Sequence, residues 1–357
     1  MSFGCGWPLA EVNRLDTLDN RIAQHALSKK KTSFPHYARA GTARATVLSL
    51  PGSPAFLLTS SYVCMRTTVK HHVAGTVKRT VLAMAERYKI DGKSPSLKMG
   101  NYTLQVEVDE VGAEYEKIAR EELRETPDVV ADSVTKLREL LEAETDLNVP
   151  LDDGNYLYRF LRPCKFYPDS ALDRMKKFYR FRLKHPELAA NISPVNERNV
   201  FEQDLVTILP KRTQCGRRIM VIDAGKKWKP RECALTEIFK AVMIVLEASL
   251  IEPRTQICGA EVILDMCGLS MQHVLQFTPG LAMSIAHWTQ VHFHGTDWKS
   301  FHTYIVADSL PLQYGGLMDI PENTGPKLHE LLCRFKNEFE ERNTHGYTKK
   351  SKVNNVS

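Results

Sequence analysis

Two short apolar runs, each bounded by glycine and separated by a long apolar helix, constrain the fold of this chain more than any other feature. The first, RRIMVIDAG, follows Cys215 and Gly216 and reads as a buried strand. LTEIFKAVMIVLEASLIEP comes next, as a helix apolar on more than one face. GAEVILDMCG is then a second buried strand, and SMQHVLQFTPGLAMSIAHW is helical with an interruption at Pro279. Strand, helix, strand, helix implies parallel pairing through right-handed crossovers, and therefore an α/β domain.

A helical module precedes it. Val130, Val134, Leu137 and Leu141 recur at spacings of four, three and four, which places them on one helix face. Asp152 and Asp153 cap a further helix carrying Tyr156, Leu157, Phe160 and Leu161. A third starts near Pro168 and Asp169, runs through Leu172, Met175, Phe178 and Tyr179, and stops before Pro186.

The first quarter differs in character. Of the net charge of +6, residues 1–98 hold 15 Lys/Arg against 5 Asp/Glu, leaving 33 against 37 in the remainder. The basicity is thus local, which argues against a nucleic-acid-binding core and for no nucleic-acid partner. No acidic residue occurs from Arg21 to Ala85, and the composition changes around Met99. Residues 1–98 are therefore expected to be a basic, disordered extension. A targeting presequence is disfavoured by Glu11, Asp16 and Asp19. The apolar stretch ATVLSLPGSPAFLLTSSYVCM is broken by Pro51, Gly52 and Pro54, lies too far in for a secretory signal, and falls short of a membrane span. Eight cysteines without a C-x-x-C pair read as free thiols of a reducing compartment.

No G-x-S-x-G, G-x-x-x-x-G-K-[ST] or H-E-x-x-H occurs, which weighs against an enzyme. On the apolar helix, Phe239, Val242, Met243 and Leu246 form one stripe, while Ile238, Ala241 and Val245 form another. One stripe can pack on a sheet; the second needs another apolar partner, either protein or lipid, and core packing is the favoured reading from the residues alone. The stretch AHWTQVHFHGTDW gathers His287, His292 and His294. A metal site would need a further ligand at a recognisable spacing, which His302 does not supply, so histidines bonded within the fold are favoured over a metal-dependent enzyme.

Several motifs in order carry a resemblance: FLRPCKF, GRRIMVIDAGKKW, TQICGAEVILDMCGL, HFHG and LPLQYGG. From about Met99 to Phe339 the chain resembles the CRAL-TRIO lipid-binding family, within it the group of the tocopherol transfer, retinaldehyde-binding and clavesin proteins. The resemblance implies a helical module over 99–195, a lipid-binding domain over 196–320, and a C-terminal helix with a polar tail over 321–357. It implies a pocket for one hydrophobic molecule, tocopherol-like, retinoid-like or related, with Phe239, Val242, Leu246 and Leu264 at pocket positions. No catalytic step, cofactor or metal is implied. The protein would be a cytoplasmic monomer in transient contact with membranes, phosphoinositide-containing ones among the candidates. A phosphoinositide-binding regulator of membrane trafficking is the alternative. Against the family pattern, Gln290 runs directly into Val291 where a strand and a gate helix are expected. The histidine crowding is thereby read as the junction of a missing block, one that leaves unpaired backbone and an open pocket floor unless VHFHG takes the vacant edge. Arg162 and Lys165 are basic residues whose role is left open between headgroup contact and structure.

Overall fold

Apolar periodicity of 3.6 residues builds a run of helices ahead of the sheet. The computed structural model describes residues 45–50, 86–89, 91–276, 290–295 and 297–348, all within one compact unit, Gly41–Ser357. Helix α1 spans Ala113–Leu123, α2 Pro127–Glu142, α3 Gly154–Leu161 and α4 Pro168–Lys184. On α2, Val130, Leu137 and Leu141 are buried and Val134 is half-buried. The backbone N–H of Tyr156 donates to Asp153 Oδ1 at 3.0 Å, so Asp153 caps α3. Prolines at the first turns of α2 and α4 lack an N–H where none is needed. Leu137, Leu157, Leu161 and Met175 meet in the core of this module.

The second unit of structure is a five-stranded sheet. Its strands are β1 (Ala45–Leu50), β4 (Val206–Arg212), β5 (Arg218–Asp223), β6 (Ala260–Asp265) and β7 (Gln290–Gly295), in the order β4-β5-β6-β1-β7. A separate hairpin pairs β2 (Ser96–Met99) with β3 (Tyr102–Gln105). The expected parallel pair is β5 with β6, in register Arg218↔Ala260 to Asp223↔Asp265. β4 pairs antiparallel with β5. The sheet is therefore mixed.

Alternation along β5 sends its side chains to two cores. Met220 and Ile222 join helix α5 (Leu235–Ser249) and helix α9 (Gly325–Cys333) on one face. Ile219 and Val221 meet Phe301, Ile305, Leu310 and Tyr314 on the other. Phe301 lies on α8 (Trp298–Tyr304), and a short helix α10 (Lys336–Asn343) follows α9. Between them in the chain lie α6 (Pro253–Cys258) and α7 (Met271–Val274).

Two expectations need correction. The boundary drawn at residue 98 cuts through folded structure: Tyr88, Leu97, Met99, Leu104 and Val108 are buried in the main core. The physical reason is the hairpin, whose alternating Leu97, Met99 and Leu104 supply an apolar face that the core requires. Secondly, the edge of β6 is not left with unpaired backbone. Ala45–Leu50, assigned to the disordered extension, pairs antiparallel with both β6 and β7. VHFHG does form the sheet edge, but next to β1 rather than next to β6. Residues 1–44 and 51–85, the rest of that extension, lie outside the described residues, as do most of the helical segment around Pro279, the Ala286–Thr289 side of the junction and the tail beyond 348.

Candidate functional site

Helix α5 positions the apolar strip. Its start is fixed by Glu237, whose Oε2 accepts from the Ala234 N–H at 2.6 Å. Ile238, Ala241, Ile244, Val245 and Ala248 are buried. The second stripe is only half-buried. Val242, Met243 and Leu246 sit at the rim of the main core, and Leu264 of β6 joins the same rim. The structure thus brings Val242, Leu246 and Leu264 to one cluster. Phe239 instead lies near Phe181 of α4, ring centroids 6.4 Å apart.

A different feature lies one turn along α5. A cavity of about 30 Å³ is lined by Tyr156, Arg159, Tyr179, Arg182, Met243, Glu247, Phe339 and Arg342, among others. That is room for one or two waters, not a lipid, and Met243 is its only link to the apolar stripe. Its walls form a lock between modules. Arg159 Nη2 donates to the Glu247 carbonyl at 3.0 Å and lies 3.1 Å from its Oε2; Arg342 Nη1 donates to Oε2 at 2.8 Å. Arg182 Nη1 donates to the Arg342 carbonyl at 3.2 Å. Burial alone would raise the Glu247 carboxyl, but Arg159, Arg342 and Arg182 more than reverse this and hold it below its ordinary value. The hydroxyls of Tyr156 and Tyr179 are paired with each other, and burial pushes Tyr179 up to about 12.

The motif residues have structural partners. Arg162 of FLRPCKF is buried and gives a bidentate pair of bonds to Glu125, 2.9 Å to Oε2 and 2.7 Å to Oε1, with a third to Gln256 Oε1 at 2.6 Å. Lys165 has φ 50 and closes the turn after Arg162, its carbonyl accepting from Arg124 at 3.3 Å. In LPLQYGG, Gly315 has φ 68, and a Cβ on Gly316 would stand 2.0 Å from the Leu310 carbonyl oxygen. Only glycines allow the turn that carries Leu310 and Tyr314 into the core beneath the sheet. His294 Nδ1 pairs with Ser300 Oγ at 2.9 Å, and His302 Nε2 with the Tyr314 carbonyl at 3.1 Å. Among the described residues no group of three or more His, Cys, Asp or Glu could hold a metal; His287 and the His292 side chain lie outside them.

With this geometry established, residues 202–296 match the CRAL/TRIO domain. This segment carries a CRAL-TRIO domain match. The chain is 28% identical over 236 residues to an alpha-tocopherol transfer protein-like protein of Homo sapiens, covering 56% of this chain and 68% of that protein. It is 25% identical over 254 residues to Clavesin-1 of Rattus norvegicus, covering 60% and 71%, and 22% identical over 269 residues to Clavesin-2 of Homo sapiens, covering 64% and 82%. The CRAL-TRIO match takes in β4, β5, β6, β7 and α5, so the apolar strip lies inside it. β1 lies outside it. Among the described residues no helix is long and apolar enough to cross a membrane.

Proposed function

We propose that this chain binds a hydrophobic lipid against the strip of Val242, Leu246 and Leu264, with Phe239 at its end, and carries it between membranes. The observation that supports this most is the half-buried second stripe of α5 inside a CRAL-TRIO match: it is apolar surface that the core of the described residues covers only in part. Each methylene of a tail laid on such surface gains about 0.8 kcal/mol. The name of one relative, alpha-tocopherol transfer protein-like, points to an isoprenoid or similar tail. The cargo undergoes no chemical step, and the protein works as a cytoplasmic monomer touching membranes transiently. The reading as a phosphoinositide-responsive regulator gains no specific support, because Arg162 is engaged by Glu125 and Gln256.

We also hold that a block is missing between Gln290 and Val291. The 236 aligned positions of the first relative take up only 56% of this 357-residue chain, fewer than 236 of its own residues, so that relative carries positions without a counterpart here. Loss of a gate would leave the strip open on one side and speed exchange.

The test is native mass spectrometry and organic extraction of protein purified from its own cells, followed by transfer of a fluorescent tocopherol between vesicles. An apolar molecule released on extraction and a transfer rate proportional to protein are expected. Protein that carries no lipid and transfers none would remove the proposal.

A further inference from the structure

β6 and β7 belong to the same matched segment yet do not touch as neighbours: β1 stands between them. Its register runs from Thr46↔Leu264 to Leu50↔Ala260 on one side, and from Ala45↔Gly295 to Ser49↔Gln290 on the other. β1 is the only strand that pairs with β7 among the described residues. Being antiparallel to both, it leaves β6 and β7 running in the same direction. A parallel pair built by a crossover has its hand and direction set by the connection. β1 enters from far upstream, so only the ladder bonds set its direction.

We propose that the space between β6 and β7 is a strand-binding slot, and that its occupant is this chain's own segment Ala45–Leu50, bound within the same molecule. Two strands with free facing edges are a demand on backbone donors and acceptors that must be met somewhere. An extended segment meets it through main-chain bonds, the mode by which sheets recognise added strands. The sequence ATVLSL suits the role, with β-branched Thr46 and Val47 and a stop at Pro51. Because Thr46 stands opposite Leu264, occupancy of the slot also closes the sheet beside the apolar rim. The inference stands whatever that rim binds.

Two experiments on the full-length chain test it. In the first, Leu48→Cys is combined with Val262→Cys, which face each other in register, and the protein is mildly oxidised. Peptide mapping should find this disulfide within one chain, while Leu48→Cys with Ile222→Cys, one strand further, should form none. A link joining two chains, or no link at all, overturns the assignment. In the second, Val47→Pro removes an N–H from the middle of the strand. Amide exchange in 260–265 and 290–295 should quicken at least about tenfold while 218–223 stays protected. Unchanged protection in both strands overturns the proposal; if the variant unfolds altogether, the disulfide result decides.

Discussion

Replacing Glu247 by glutamine should be among the most damaging single changes outside the sheet. The carboxylate lies between two buried guanidiniums: Arg159 is 6% exposed, and the side chain of Arg342 is 12% exposed. Arg342 keeps a second carboxylate, Glu338, at 2.7 Å. Arg159 has Glu247 as its one ion-pair partner among the described residues. Removing one member of a buried pair costs about 3–5 kcal/mol. Since Arg342 remains paired and glutamine keeps an acceptor oxygen, the lower end, about 3 kcal/mol, applies. For a unit of this size that lowers the unfolding midpoint by about 5 °C. Thermal unfolding at pH 7 reads it directly. Adding Arg159→Met to Glu247→Gln should recover most of the loss, because it removes the stranded charge instead of leaving it buried. A shift under about 2 °C for the single variant, or a strictly additive double variant, would refute the lock.

Other outcomes follow from the same geometry. The Glu247 carboxyl is held below its ordinary value when folded, so its contribution is present above the unfolded value of about 4.3 and is lost as pH falls through the folded one; Glu252 behaves alike through Arg218 and Arg212. Stability should therefore drop steeply below about pH 4, less steeply in Glu247→Gln, as chemical denaturation across pH would show. Val242→Trp or Leu246→Trp should block lipid uptake with little loss of stability, since both sites are half-buried; a loss of about 1–3 kcal/mol with lipid binding intact would mark them as packed core instead. Gly316→Ala, whose Cβ would strike the Leu310 carbonyl oxygen, should destabilise by about 1–3 kcal/mol on calorimetry, and an unshifted midpoint would show that the turn can relax.

The individual helices are legible in the sequence because their signals are local. Proline and Asp153 mark helix starts, and a repeat of three and four residues marks a buried face. The two buried strands were legible for the same reason, with glycines at their limits and unbroken apolar runs between. β4 is harder to see, because Pro210, Lys211 and Arg212 interrupt the apolar pattern of VTILPKR. The site was legible only in part. The two stripes of α5 could be drawn from spacing, but which one the sheet covers depends on how the helix is rolled, and that is set by partners far along the chain. Phe239 shows the limit: it shares a stripe with Val242 and Leu246, yet its ring lies near Phe181. The Glu247 lock left no local trace, because Arg159, Arg182, Glu247 and Arg342 come from four helices.

β1 failed to announce itself for a more general reason. A strand's partners are chosen by main-chain groups that every residue carries, so six residues of sequence say that a strand can form but not where it pairs. The informative signal was at the other end of the chain. Gln290 running into Val291 implied two buried edges without a neighbour, and such edges force a choice among re-pairing, collapse and recruitment of another segment. The early apolar stretch lies too far in for a signal peptide and, broken by Pro51, Gly52 and Pro54, is too short for a membrane span. A short apolar run with no local role and a sheet with a vacancy are two halves of one observation, and pairing them brings Ala45–Leu50 into the fold.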